Sequence, residues 1–283
     1  MKCKKIKRTT KVKIEEKPVQ EESAKEEVIS LIKEDKFVFA ADMMGKTEQD
    51  LKNDTYKSYI RTFMNNIGKT FSLNTVSPAK IESAICMAER FNGAGILLSP
   101  IYFDALKRIK SKMGSLIAPI FTMAGMPYGL STIDGLKKDI SYSIESGATR
   151  IMAVLPTASI ELGNLVAVKK EYVKLAKKYK KYPFGIAINL DFPLEQLKIF
   201  LGEVKHGKIS SVTLFADDLE IEALGNYVTA LSGIINDKKL IVTCSLDKFE
   251  DISYLFKCGV DKVYTTHFEG LCDELIQKFG ALM

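Results

Sequence analysis

From about Lys69 to the C-terminus the chain repeats one pattern eight times: a short, β-rich apolar run followed by a longer segment with apolar residues at three- and four-residue spacing. A strand needs neighbours on both edges, and an amphipathic helix needs a surface for its apolar stripe. A parallel sheet closed on itself and ringed by helices satisfies both. The predicted strands are Thr70–Leu73, Gly95–Ser99, Leu116–Thr122, Arg150–Pro156, Phe184–Leu190, Ser211–Ala216, Leu240–Ser245 and Lys262–Thr266. The predicted outer helices include Pro78–Arg90, Asp134–Ser146, Asn164–Lys181, Leu194–Val204, Ile221–Ile235, Phe249–Lys257 and Leu271–Phe279. Gly147 and Gly259, just ahead of two strands, suit helix C-caps where φ is positive. Eight such units predict an α/β protein, a (β/α)8 TIM barrel, with reactive groups gathered at the C-terminal strand ends.

The chain before the barrel divides in two. Residues 1–25 mix Lys, Glu, Gln and Thr with little apolar content and read as a flexible basic tail. Lys2, Lys4, Lys5, Lys7, Arg8, Lys11 and Lys13 supply +7 of a net charge of +6, leaving −1 for everything else. The barrel, residues 69–283, is therefore nearly neutral and offers no basic groove, so nucleic acid is not an expected partner. Residues 26–68 read as a helical extension. Ser23-Ala-Lys-Glu26 and Thr47-Glu-Gln-Asp50 each resemble a capping box, Phe37–Ala41 reads as a short strand, and Tyr56, Tyr59, Ile60, Phe63 and Met64 form a helical apolar stripe. That much apolar surface needs covering, by its own barrel or by a neighbouring subunit, and the expectation is a homo-oligomer or larger assembly joined through this extension. No apolar run is long enough to span a membrane and the opening residues lack a secretory signal's apolar core, so a cytoplasmic protein is expected. The five cysteines form no close-spaced pair and there are only two histidines, so neither a cofactor nor a His-rich metal site is expected.

Several barrel segments resemble one family, the deoxyribose-phosphate aldolases. Gly95-Ile-Leu-Leu-Ser-Pro100 with the helical Ile101–Ile109 is similar to the family's second strand, its proline and the helix behind it; Met126-Pro-Tyr-Gly129 resembles the turn after the third strand. Gly147-Ala-Thr-Arg-Ile-Met-Ala-Val154 resembles the fourth strand. The resemblance implies an aldehyde-lyase that works through a lysine Schiff base, with a lysine on the sixth strand, a second on the seventh and an aspartate on the fourth. In this chain those positions are Thr213, Thr243 and Met152. An imine needs a partly unprotonated amine, which threonine and methionine lack, and no predicted strand carries a lysine near its C-terminal end. Lys69 and Lys262 are expected at the opposite, N-terminal strand ends, roughly 10 to 15 Å from the rim by strand rise. Lys46 and Lys248 are the loop alternatives. The family's glycines at the phosphate site are replaced by Leu246-Asp247 and by Tyr264-Thr-Thr266, where Tyr264 is expected to crowd a phosphate and Asp247 to repel it.

Asn189, Asp191, Asp217, Asp218, Asp247, His267 and Glu269 fall at or just after strand ends. Asp217, Asp218 and Asp247 read first as helix caps. Asn189, Asp191, Thr265, Thr266 and His267 are the candidate ligand-binding residues, with no metal ligands assigned. Cys244 reads as a buried, inert thiol. The expected function is a catalytically inactive aldolase-like scaffold or ligand-binding protein. The alternative is an active lyase on deoxyribose 5-phosphate or a related sugar phosphate that uses other rim residues.

Overall fold

The computed structural model describes residues 58–71, 76–114, 116–126, 128–202, 209–217, 219–235 and 238–279. The readings of the tail, of residues 26–57, of Lys46 and of Asp218 lie outside them. Eight parallel strands close into a barrel in sequence order: β1 Ile67–Thr70, β2 Ile96–Leu98, β3 Ile120–Ala124, β4 Arg150–Val154, β5 Phe184–Asn189, β6 Ser211–Phe215, β7 Lys239–Cys244 and β8 Lys262–Thr265. A helix follows each strand: α1 Pro78–Arg90, α2 Phe103–Met113, α3 Ile133–Glu145, α4 Leu165–Lys178, α5 Leu194–Gly202, α6 Ile221–Ile235, α7 Phe249–Lys257 and α8 Phe268–Phe279. The architecture is the (β/α)8 barrel predicted from the alternating pattern. None of these described helices is long and apolar enough to cross a membrane.

Local chemistry sets the helix ends. Ser77 accepts a hydrogen bond from the Lys80 amide, with Pro78 inside the first turn of α1. Thr132 does the same for the Gly135 amide at the head of α3, at 3.1 Å. Gly147 and Gly259 have φ of 109° and 104°, as expected of residues that let α3 and α7 turn into the next strand. At Gly147 a side chain would also strike Lys110.

Two strands differ from the sequence reading by more than two residues at an end. β3 starts after Pro119 rather than at Leu116; proline has no N–H to give a ladder, and its carbonyl instead receives the Ile96 amide at 2.9 Å. β1 is Ile67–Thr70, not Thr70–Leu73. Gly68 and Lys69 look like strand breakers, yet each is buried for a tertiary reason. A methyl on Gly68 would collide with the Tyr264 ring and the Gly95 carbonyl, so the strand is possible only without a side chain there.

The fully buried Tyr264 on β8 fills this space. Its hydroxyl donates to the Ala94 carbonyl at 3.0 Å, and its ring meets Phe121 edge-on at 5.2 Å. Burial holds its phenol well above the ordinary tyrosine range. Leu97, Phe121, Met123, Met152, Val154, Ala187 and Ile241 complete the packed interior. Outside the barrel, residues 58–65 form a helix leading into β1. Its Phe63 lies 4.5 Å from the Phe249 ring and 5.5 Å from Phe256, so this end of the extension covers α7 of its own barrel.

Candidate functional site

The register decides which side chains face inward. Met152 pairs with Met123 and Gly185, Thr213 with Ala187 and Ile241, and Thr243 with Phe215 and Tyr264. Met123, Met152, Ala187, Ile241 and Tyr264 all belong to the interior cluster, so strand alternation aims Thr213 and Thr243 inward as well. Thr213 is fully buried and its hydroxyl has no hydrogen-bond partner. The Thr243 hydroxyl donates to the Leu214 carbonyl at 3.4 Å.

A cavity of about 350 Å³ opens at the C-terminal end of the strands. Its apolar wall is Phe71, Met123, Met126, Tyr128, Leu190 and Phe215, and its polar groups are Thr70, Asn189, Asp191, Asp217 and Thr243. The described lining therefore holds two carboxylates and no lysine, arginine or histidine. Low-dielectric walls lengthen the reach of those carboxylates and disfavour an anionic guest.

Lys69 is not at the N-terminal end of its strand, as the sequence suggested, because β1 lies three residues earlier. It is the third of four strand residues, and its Nζ reaches the far side of the rim. The ammonium donates to the Thr266 carbonyl at 2.6 Å and to Glu269 at 2.5 Å, with the Phe71 ring 5.2 Å away. Both of its flanking residues, Gly68 and Thr70, are on the inward alternation, so Lys69 sits outside the barrel wall. Lys248 is exposed at the head of α7. Lys262 opens β8, and its Nζ donates to the Asn65 carbonyl at 3.3 Å.

Of the five candidate ligand-binding residues, Asn189 and Asp191 line the cavity; Thr265, Thr266 and His267 lie outside its described lining. Thr265 faces away from the interior and is fully buried. Its hydroxyl donates to the Leu246 carbonyl at 2.5 Å and accepts the His267 amide at 3.0 Å, which locks the turn into α8. Tyr264 does not crowd the rim as expected: its hydroxyl points to Ala94, which precedes β2, and so toward the other end of the barrel. At the head of α7 the Phe249 amide is met by Glu274 at 3.2 Å rather than by Asp247. The Asp217 carboxylate accepts from Ser245 at 3.3 Å. Burial pushes the Cys244 thiol up to about 12, with Asp217 adding to the shift, so a thiolate nucleophile is disfavoured there. Among the described residues no three His, Cys, Asp or Glu side chains gather as a metal site.

Phe215 in the cavity wall and Tyr227, whose phenol feels the Asp191 charge, are among the residues that the sequence did not single out. Phe215 follows Thr213 at strand period and could have been placed by alternation. Tyr227 could not: its hydroxyl lies 3.4 Å from the Phe192 carbonyl, and burial, then the charge of Asp191, pushes its phenol up to about 12.

No protein-family model matches the chain and no curated protein sequence matches it. The tetrameric deoxyribose-phosphate aldolase of Aeropyrum pernix superposes with a TM-score of 0.64 at 15% identity, over 81% of this chain and 98% of that one. The chain has the fold of a deoxyribose-phosphate aldolase. A structure described as QR15, an aldolase, agrees at a TM-score of 0.65 and 13% identity, over 79% of this chain and 99% of that one. A mutant tryptophan synthase α-subunit from Pyrococcus furiosus reaches only 0.51 despite 16% identity, over 76% of this chain and 91% of that one. The closer fit to the aldolases is thus one of layout, not of sequence identity. On that aldolase-like barrel, the interior positions are Met152, Thr213 and Thr243.

Proposed function

We propose that this chain is a catalytically inactive aldolase-like barrel that holds a small, uncharged or cationic ligand at its C-terminal rim. The observation that carries the reading is the described cavity lining, which offers no amine at all. Schiff-base chemistry requires an amine that can shed its proton within reach of a carbonyl. Lys69, next in sequence to the lining residue Thr70, is outside the wall and engaged with Glu269 and Thr266. A carboxylate-bordered pocket also disfavours a sugar phosphate. Fold similarity alone supplies no activity.

The test is incubation with deoxyribose 5-phosphate and borohydride followed by intact-mass measurement. The expected result is no adduct forming faster than on surface lysines; rapid single-site trapping, at Lys69 or any other lysine, would overturn the reading. An assembly role for the N-terminal extension belongs to the same proposal, since a fold relative is described as tetrameric. Deleting residues 26–57 is expected to lower the oligomeric state measured by sedimentation while leaving the barrel folded.

A further inference from the structure

The opposite, N-terminal mouth of the barrel carries a cluster that the rim reading does not use. Arg150, Lys239 and Lys262 are the first residues of β4, β7 and β8. Each lies two residues before an interior residue, Met152, Ile241 and Tyr264 respectively, and so takes the inward alternation. The Arg150 guanidinium lies 5.2 Å from the centre of the Phe121 ring, which holds it at the mouth.

The charges of Arg150, half-buried, and Lys239, exposed, both act on the half-buried Lys262, whose ammonium donates to the Asn65 carbonyl, without a matching set of anions. None of them is in an ion pair with a described residue. Asp261, whose charge also acts on Lys262, accepts the Leu240 amide at 2.8 Å. Burial lowers the Lys262 amine to about 8, with the charges of Arg150 and Lys239 adding to the effect. Ser211 stands opposite Lys239 in register and is itself buried, which places a neutral hydroxyl beside the cluster. Gathering like charges at a partly buried mouth is unfavourable, and a multivalent oxyanion reverses the sign of each of these interactions.

We infer that the N-terminal mouth is a phosphate-type oxyanion site, in which the Arg150 guanidinium and the Lys239 and Lys262 ammonium groups surround the anion. A packed interior, with Tyr264 in it, separates this site from the rim cavity. The inference therefore does not depend on what the rim binds. The recognised group is a phosphate, either free or at the end of a small ester.

Trace acylation of the full-length protein at pH 8, read lysine by lysine by peptide mass spectrometry, tests it. Labelling is compared in chloride, in inorganic phosphate and in glycerol phosphate at one ionic strength. With phosphate bound, Lys262 labelling is expected to fall about five-fold, the change produced when an opposite charge raises an amine pKa from about 8 by about one unit. The exposed Lys177 serves as the control and is expected not to change. The anion giving the stronger protection identifies the free or esterified form. Protection is expected to disappear in Arg150→Met/Lys239→Met. Equal Lys262 labelling in chloride and in both phosphates would overturn the site, as would protection that persists in the double variant. The anion comparison on the unaltered protein needs no variant and stands even if the double variant fails to fold.

Discussion

At the C-terminal end of the barrel the cavity is bordered by Asp191 and Asp217, from the turns after β5 and β6, whereas at the N-terminal end strand alternation directs Arg150, Lys239 and Lys262 toward the axis. Here the rim is acidic and the cations are at the face that in such barrels serves stability. The contrast shows that a barrel with an aldolase-like layout can segregate its charged side chains by sign between its two ends. Between the two ends stands the packed layer around Tyr264, and the comparison can be broken or sharpened there.

The largest effect is expected for Tyr264→Ala, which empties the partition: a loss of about 3–5 kcal/mol in urea unfolding. Tyr264→Phe keeps the ring but leaves the buried Ala94 carbonyl without its donor, at a cost of about 1–3 kcal/mol. If the alanine variant were as stable as the phenylalanine one, the two ends would not be divided by a tightly packed layer. Gly68→Ala forces a methyl against the same ring and is expected to destabilise by about 1–3 kcal/mol. Unchanged urea midpoints would show that the ring has room to move.

Thr213→Val acts in the other direction. It removes a buried hydroxyl that has no partner and keeps the shape, so a gain of about 1 kcal/mol is expected. A loss on substitution would mean that the hydroxyl has an unseen partner such as a buried water.

At the cationic end the signature is a pH dependence. Lys262 has its amine lowered from 10.5 to about 8 in the folded chain. Between these values the unfolded chain binds more protons, so this residue's contribution makes stability rise with pH. Below about 8 both states hold the proton and the penalty is constant. Cys244 contributes with the opposite sign, because its thiol is raised from 9 to about 12 and ionises first in the unfolded chain. The stability difference between the natural protein and Lys262→Met isolates the lysine. That difference is expected to shift in favour of the natural protein from about pH 8 to 10.5, and a flat difference would remove the evidence for crowded cations. The smallest effect is expected at the acidic end. Asp191→Asn is expected to let Tyr227 ionise at a slightly lower pH in an absorbance titration, a shift smaller than the one burial causes.

The repeating unit was legible because burial on both faces of a parallel strand produces apolar runs, and helix periodicity between them is hard to mistake. The inward direction of Met152, Thr213 and Thr243 was legible too, since strand period fixes alternate positions once one is placed. What could not be read depends on distant residues. The first strand read as starting at Thr70, with Lys69 at its N-terminal end; Tyr264 and Glu269, about 200 positions away, explain why Gly68 and Lys69 are instead buried in β1. Tyr264 was placed at the rim by its correspondence to the resembled family's phosphate-site run, whereas the carbonyl that fixes its direction belongs to the distant Ala94. The walls of the cavity were hidden for a similar reason: Met126 and Tyr128 come from a turn whose path no periodicity describes.

The bond from Tyr264 to Ala94 spans 170 positions and has a consequence for how the molecule is made. A ribosome emits the chain from its N-terminus, so β1 and β2 emerge long before the aromatic ring that must sit between them. At about 5–20 residues per second, the wait is on the order of ten seconds. Throughout that interval Gly68 faces an empty space and β1 lacks one of its two neighbours. Closure of the barrel is therefore a late event, completed when β8 emerges, and the nascent chain must keep its first strand edge away from other chains until the last one arrives.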